Sequence, residues 1–412
     1  MEVVFERCCG LDVHKVIVVA CLWMRDHSGK IHKEIQKFGT MTADLLVLYD
    51  WLKANKVTHV AMESTGVFWQ PVYNLLEEEF QVLLVNAEHI KRVPGRKTDV
   101  TDCEWIADLL AHGLLKGSFI PPKPIRELRD LTRYRKSLTD ERVREVNRLH
   151  KLLQSANLKL SSVVSDVMGM SGRRMLEALL EGKTDPEVLA DLAKGKLRKK
   201  LPELKKALHG RFSPHHSFLL EHILGHLDFL DEAIEKISEE VAARTAPFAE
   251  VIQMLDTISG VDRKGAEGAI SEIGLDMEQF STHRHLASWT GLCPGNHESA
   301  GKRKRGKTRK GDVWFRRYAI EMATAASRTK GSYLNALYHR LVRRKGHKKA
   351  IVAVAHTIVV IIYHVVKHKV PYRELGADYF DKLNVTYIKR HHVKRLEGLG
   401  FKVILEPLQA AA

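Results

Sequence analysis

From residue 8 to residue 24 the chain is apolar or small except at Asp12, His14 and Lys15, and much of it is β-branched. A short run of this kind interrupted by three polar residues predicts a buried central strand, a turn and a second strand. Gly29-Lys30 predicts the next turn and residues 33–40 a third strand. Residues 43–53 carry Leu45, Leu46, Leu48, Trp51 and Leu52 at helical spacing. A short buried strand follows at 58–66, closing on Glu63 and Gly66, then a helix at 69–78 and a strand at 81–86. Ile106, Leu109 and Leu110 supply the stripe of one more helix, whose start holds Asp99 and Asp102. The order of three strands, helix, strand, helix, strand, helix is that of an α/β layer arrangement.

Beyond Pro121-Pro122-Lys123-Pro124 the period changes. Residues 126–164 form a charged helical pattern with Val146, Leu149, Leu153, Ala156 and Leu160 spaced alternately by three and four. Leu220, Ile223, Leu227, Leu230, Ile234, Ile237 and Val241 repeat that alternation. Both are coiled-coil seams, able to pair within the chain as a hairpin or between chains as a dimer. The segment 161–214 between them contains the basic runs Lys194-Gly195-Lys196-Leu197-Arg198-Lys199-Lys200 and Lys205-Lys206, read as a solvated face or as added nucleic-acid contact. Residues 255–266 resemble a helix-hairpin-helix turn, which contacts phosphates through backbone amides, although any tight turn between helices needs glycine as well. Amphipathic helices are predicted at 312–328 and 332–344. The apolar stretch 350–366, broken by His356 and His364, is shorter than a membrane span and reads as a buried helix. The pattern divides the chain at 1–124, 125–248, 249–372 and a peripheral tail, 373–412.

Sixty-six Lys and Arg against 50 Asp and Glu leave a net charge of +16, which points to a polyanion, with nucleic acid first. Five cysteines, two of them adjacent, make neither a zinc pattern nor a disulfide framework, and with no apolar stretch behind a basic start a secretory signal is not expected. The expectation is a cytoplasmic protein with reduced thiols and no membrane partner. Seven of the nine residues 302–310 are basic: Lys302, Arg303, Lys304, Arg305, Lys307, Arg309 and Lys310. Arg343, Arg344 and Lys345 add a second cationic group. Both suit phosphates.

Chemistry is expected where carboxylates gather. Asp99 and Asp102, three apart, share a helical face, and Asp12 and Glu63 end strand-like segments. Acidic residues in a first turn also serve simply as partners of the helix dipole. Asp12 fits that reading poorly, because a carboxylate in an apolar strand is costly unless something neutralises it. The element order is similar to the ribonuclease-H fold, in its RuvC-like branch, and there the four carboxylates converge. Four of them suit two Mg²⁺ ions roughly 3.5–4 Å apart acting on a phosphodiester. Ser299, just ahead of the cationic run, is either a nucleophile toward phosphorus or a turn serine.

Gly10-Leu11-Asp12-Val13-His14-Lys15, Met62-Glu63-Ser64-Thr65-Gly66, Lys97-Thr98-Asp99-Val100-Thr101-Asp102 and Gly291-Leu292-Cys293-Pro294 with Ser299-Ala300-Gly301 together resemble the DEDD transposases of insertion sequences, the insertion sequence 110 family, a group that includes the Piv-type invertases. The resemblance implies a RuvC-like domain, a coiled-coil linker and a mainly helical transposase domain. Asp12, Glu63, Asp99 and Asp102 would bind the metal and Ser299 would attack DNA. It further implies a dimer or tetramer in which the acidic domain of one subunit meets the serine domain of another, a prokaryotic nucleoid setting, and a structured RNA pairing with element ends and target DNA. In the family's pattern glycine directly follows the serine, whereas Ala300 intervenes here, which keeps Ser288 as the second candidate. Two other readings remain: a RuvC-like endonuclease or junction resolvase using water, and a binding protein whose carboxylates only cap helices.

Overall fold

In this computed structural model, residues 2–64, 66–87, 90, 101–295, 298–299, 301–303 and 308–406 are described. The chain parts into two compact units, 1–120 and 121–412.

The apolar runs of the first unit become strands β1 (Arg7–Val13), β2 (Ile17–Arg25) and β3 (Ile31–Gly39), followed by helix α1 (Thr42–Ala54), β4 (His59–Glu63), α2 (Trp69–Leu76), β5 (Gln81–Val85) and α3 (Asp102–Ala111). The sheet order is β3-β2-β1-β4-β5. β1–β2 and β2–β3 are antiparallel, while β1–β4 and β4–β5 are parallel. This is a ribonuclease-H-like sheet. Alternation along β1 divides its residues between two cores. Cys9, Leu11 and Val13 pack with Leu48, Leu52 and Leu76 of α1 and α2. Cys8 packs with Trp23, Ala61 and the α3 residues Cys103, Ile106 and Ala107.

Gly10 fixes how closely α3 lies on the sheet. A Cβ at this position would stand 2.3 Å from the Cys103 carbonyl oxygen and 2.4 Å from the Ala107 nitrogen, both backbone atoms. Hydrogen bonds set the direction of α3: Val4 N donates to Ala111 O at 2.8 Å at the start of the sheet, and Cys8 Sγ lies 3.8 Å from Ala107 O. The helix therefore runs antiparallel to β1 and brings its N-terminal end to the strand's C-terminal end. Asp108 anchors it sideways, accepting from Trp23 Nε1 at 2.9 Å and from Lys33 Nζ at 2.6 Å.

The second unit is helical. α4 (Lys123–Ser155) is followed by α5 (Leu160–Val163), α6 (Met170–Leu180), α7 (Pro186–Asp191), α8 (Leu201–Leu208) and α9 (Pro214–Thr245). α4 and α9 pack antiparallel within the chain, with Arg244 Nη1 on Glu127 at 2.8 Å, Arg142 on Asp231, and His226 3.5 Å from Glu145. The first seam is shorter than its pattern, because α4 stops at Ser155 and Asn157 turns the chain with φ 56°. The segment between the two helices is more than a charged face. Met175, Leu176, Leu179, Leu189, Leu204 and Leu208 build a core against Leu149, Leu153, Leu220 and Leu224, leaving Lys194, Lys196 and Arg198 exposed.

Then come α10 (Ala249–Asp256), α11 (Arg263–Ile273), α12 (His283–Trp289), the short strands β6 (Glu298–Ser299) and β7 (Lys302–Arg303), α13 (Val313–Ala326), α14 (Tyr333–Lys345), α15 (His347–His368), α16 (Tyr379–Leu383) and α17 (Val385–Glu397). α15 is long and apolar enough to cross a membrane by length and composition, yet Val354, Ala355, Ile358, Val359 and Ile362 are buried against its neighbours α12, α13 and α14. Ionic contacts join α4 to α11. Arg135 meets Glu267 at 2.8 Å with both side chains almost wholly buried. Arg133 forks onto Glu272 with two bonds of 2.7 Å, and Arg129 donates to the backbone oxygens of Ser271 and Glu272. Burial pushes the Glu272 carboxyl above its ordinary range even beside these guanidiniums.

Two outcomes follow from this packing. Gly10→Ala should weaken the β1–α3 contact by about 3 kcal/mol, the upper range for overpacking. Hydrogen-exchange mass spectrometry would register that as amide exchange in β1 and α3 faster on the order of a hundredfold; unchanged exchange would refute the close approach. Glu267→Ala strands Arg135 in a dry site and should cost about 3–5 kcal/mol, the usual range when one partner of a buried pair is removed. Its lower urea midpoint should be specific to residues 121–412.

Candidate active site and nucleic-acid surface

Leu11 faces Met62 in the parallel β1–β4 ladder, so Asp12 and Glu63 are the next residues on either side. Both leave the C-terminal ends of central strands on the face opposite Leu11 and Met62, which is the face that carries α3. Asp12 keeps 26% of its side chain exposed, and His14 Nε2 donates to its Oδ2 at 3.1 Å. Asp102 opens α3 and is held there by a capping box: Thr101 N and Oγ1 donate to Glu104 Oε2 at 3.1 and 2.7 Å. Burial pushes the neighbouring Cys103 thiol above its ordinary value, against the hydrogen bond with Thr101 Oγ1 that lowers it.

Asp12, Glu63 and Asp102 thus stand at the same end of the sheet, the end to which α3 brings its N-terminus. Asp99 lies outside the described residues. Among the described residues no three His, Cys, Asp or Glu side chains approach closely enough to hold one ion. The donors are carboxylate oxygens, with a helix N-terminus beside them, and hard oxygen donors on a half-open rim suit a divalent cation that keeps part of its water.

In the second unit, Ser299 and Lys302 are cross-strand partners in the β6–β7 ladder. Gly301 has φ 73°, a left-handed conformation that glycine adopts without steric cost. The base of this loop is tied down. Arg316 donates to Gly291 O and, at 3.1 Å, to Thr308 Oγ1, and Asp312 N donates to Trp289 O at 2.9 Å. Ser288, by contrast, is half-buried inside α12. Of the basic run, Lys302 and Arg303 lie on β7, Arg309 and Lys310 are exposed, and Lys304, Arg305 and Lys307 lie outside the described residues.

A groove of about 750 Å³ adjoins Thr308 and contains Arg309, Lys310, Arg316 and Arg317. The last two were not among the residues expected from sequence. They continue the cationic run into α13, but their helical pattern reads as an ordinary amphipathic face, and only the fold turns that face onto the loop. Arg343, Arg344 and Lys345 are exposed in the last turn of α14.

Comparison with known proteins agrees with this architecture. Residues 9–158 match a family of DEDD-type domains described as "Transposase", and residues 252–339 match the "Transposase IS116/IS110/IS902 family". The chain is 24% identical over 319 residues to a Pseudomonas aeruginosa protein named "Probable family 20 transposase", covering 76% of this chain and 85% of that protein. A Sinorhizobium fredii protein named "Putative transposase y4pF/y4sB" is 24% identical over 328 residues, covering 77% of this chain and 75% of the relative. With its acidic ribonuclease-H-like unit matched to one domain family and its helical unit to the other, the chain has the two-domain architecture of an IS110-family DEDD-type transposase.

Proposed function

We propose that this transposase excises and inserts an insertion sequence by metal-dependent strand exchange through a serine–DNA intermediate. The observation that carries the reading is the placement of Asp12 and Glu63 just past the last residue pair between β1 and β4, at the sheet end to which α3 brings its capped start with Asp102. Asp12, Glu63 and Asp102, together with Asp99, would hold Mg²⁺. Bound there, the cation would neutralise charge on the phosphodiester and its leaving oxygen.

The chain's own residues supply the remaining chemistry. Ser299 Oγ bonds to phosphorus as the bond to the strand's leaving oxygen breaks, and the serine proton passes to that oxygen. Attack by the hydroxyl of the incoming strand restores the phosphodiester and returns the proton to serine. Lys302, Arg303, Lys304, Arg305, Lys307, Arg309 and Lys310 hold the phosphate backbone near the serine, and Arg343, Arg344 and Lys345 extend that contact. The acidic unit of one subunit and the serine unit of another act together in a dimer or tetramer. An element-encoded structured RNA selects the DNA. These last assignments rest on the family resemblance and on the net charge of +16.

A nuclease of the same fold would need no serine, and the two schemes part on one experiment. With Mg²⁺ and DNA carrying the element's junction, wild type should yield a denaturant-resistant protein–DNA adduct that Ser299→Ala lacks. Asp12→Asn should slow cleavage roughly a hundredfold or more, as loss of a transition-state charge partner does, while DNA binding persists. Full joining by Ser299→Ala would remove the serine from the mechanism, and cleavage without any adduct would favour water as nucleophile.

A further inference from the structure

The end of the chain contributes more than a peripheral tail. Glu374 pins its start, accepting from Ser259 Oγ at 2.8 Å and from Tyr333 N at 2.7 Å. α16 and α17 then lie across α14 and leave an open groove of about 820 Å³. One wall is cationic. His339, Arg340, Arg343 and Arg344 recur along α14 at helical spacing and all face this groove. Arg343 and Arg344 are exposed and make no ion pair with any described residue, and among the described residues lining the groove Asp381 is the sole carboxylate.

The opposite wall is aromatic. Phe380 lies under the Arg340 guanidinium at 4.8 Å and is stacked on Tyr333 at 5.4 Å and 25°. Tyr387 is 64% exposed, a high value for a ring on a structured helix, and is nearly parallel to the His391 ring at 13°. Cations on one side and the exposed Tyr387 ring on the other match a polymer that offers phosphates and flat bases together. A duplex stacks its bases on each other and offers only their edges. A groove of small-molecule-pocket size takes a few nucleotides of one strand.

We propose that the α14–α17 groove binds an unpaired stretch of polynucleotide, with phosphates on Arg343 and Arg344 and a base on Tyr387. This extends the nucleic-acid reading of Arg343 and Arg344, on which it rests, but it does not depend on the acidic site. The test is fluorescence anisotropy of the full chain in EDTA, using unstructured 12-nucleotide DNA and RNA strands and a DNA duplex of the same length. Without divalent metal, a failure of the catalytic reading has no influence on the result.

Tyr387→Ala should weaken single-strand binding about tenfold, within the range for loss of one base–aromatic stack, and leave duplex binding unchanged. Tyr387→Phe, which keeps the ring, should bind as wild type. Arg343→Ala combined with Arg344→Ala should reduce the log–log salt slope for single strands by about 1.4, corresponding to two phosphates. Weakening with DNA, with RNA or with both supports the groove and identifies the strand it accepts. Single-strand binding unchanged in Tyr387→Ala, an equal loss for duplex, or no recovery in Tyr387→Phe would overturn it.

Discussion

The acidic site exists because α3 lies almost in contact with the backbone of β1. At Gly10 there is no room for even one methyl group against Cys103 and Ala107. This close approach places the start of α3 beside the ends of β1 and β4, where Asp12 and Glu63 leave the sheet. The chain pays for the arrangement by bringing like charges together beside a buried sheet. The cost is moderated by what surrounds them: His14 donating to Asp12, and the N-terminal dipole of α3.

Much of this was legible in the sequence, for identifiable reasons. The first five strands and three helices follow from short apolar runs and periodicity, and their observed ends fall within a few residues of the expected ones. Asp12 stood out because a carboxylate in an otherwise apolar strand needs an explanation. Gly10 did not, because a glycine beside a turn looks ordinary until the helix above it is known. Asp102 was read as part of a helical acidic pair, whereas its fixed position comes from Thr101 and Glu104, a capping box recognisable only once the helix start is located. Asp99, the other member of that pair, lies outside the described residues.

The second unit was harder to read, because its determinants are contacts between distant segments. Arg129, Arg133 and Arg135 look like surface charges on a long helix, yet they meet Glu267 and Glu272 more than a hundred residues later. The basic segment between the seams was charged in composition, and its leucines were too scattered to announce the small core that they form. The seams left intra- and intermolecular pairing open, and charge pairs such as Arg244 with Glu127 show α4 and α9 joined within one chain. The basic character is spread over several surfaces. The loop of Ser299 and the groove of α14 and α17 present different chemistry, the first chiefly cations and the second cations facing aromatic rings.

The central proposal is that Asp12, Glu63 and Asp102, together with Asp99, bind divalent metal. Its most direct test replaces Mg²⁺ with Fe²⁺ and uses ascorbate and peroxide to generate hydroxyl radicals at the bound ion, after which the peptide fragments are mapped by mass spectrometry. The account predicts backbone scission clustered near residues 12, 63 and 102, suppressed by excess Mg²⁺ and absent in Asp12→Asn. Scission elsewhere, or scission that excess Mg²⁺ does not suppress, would contradict it.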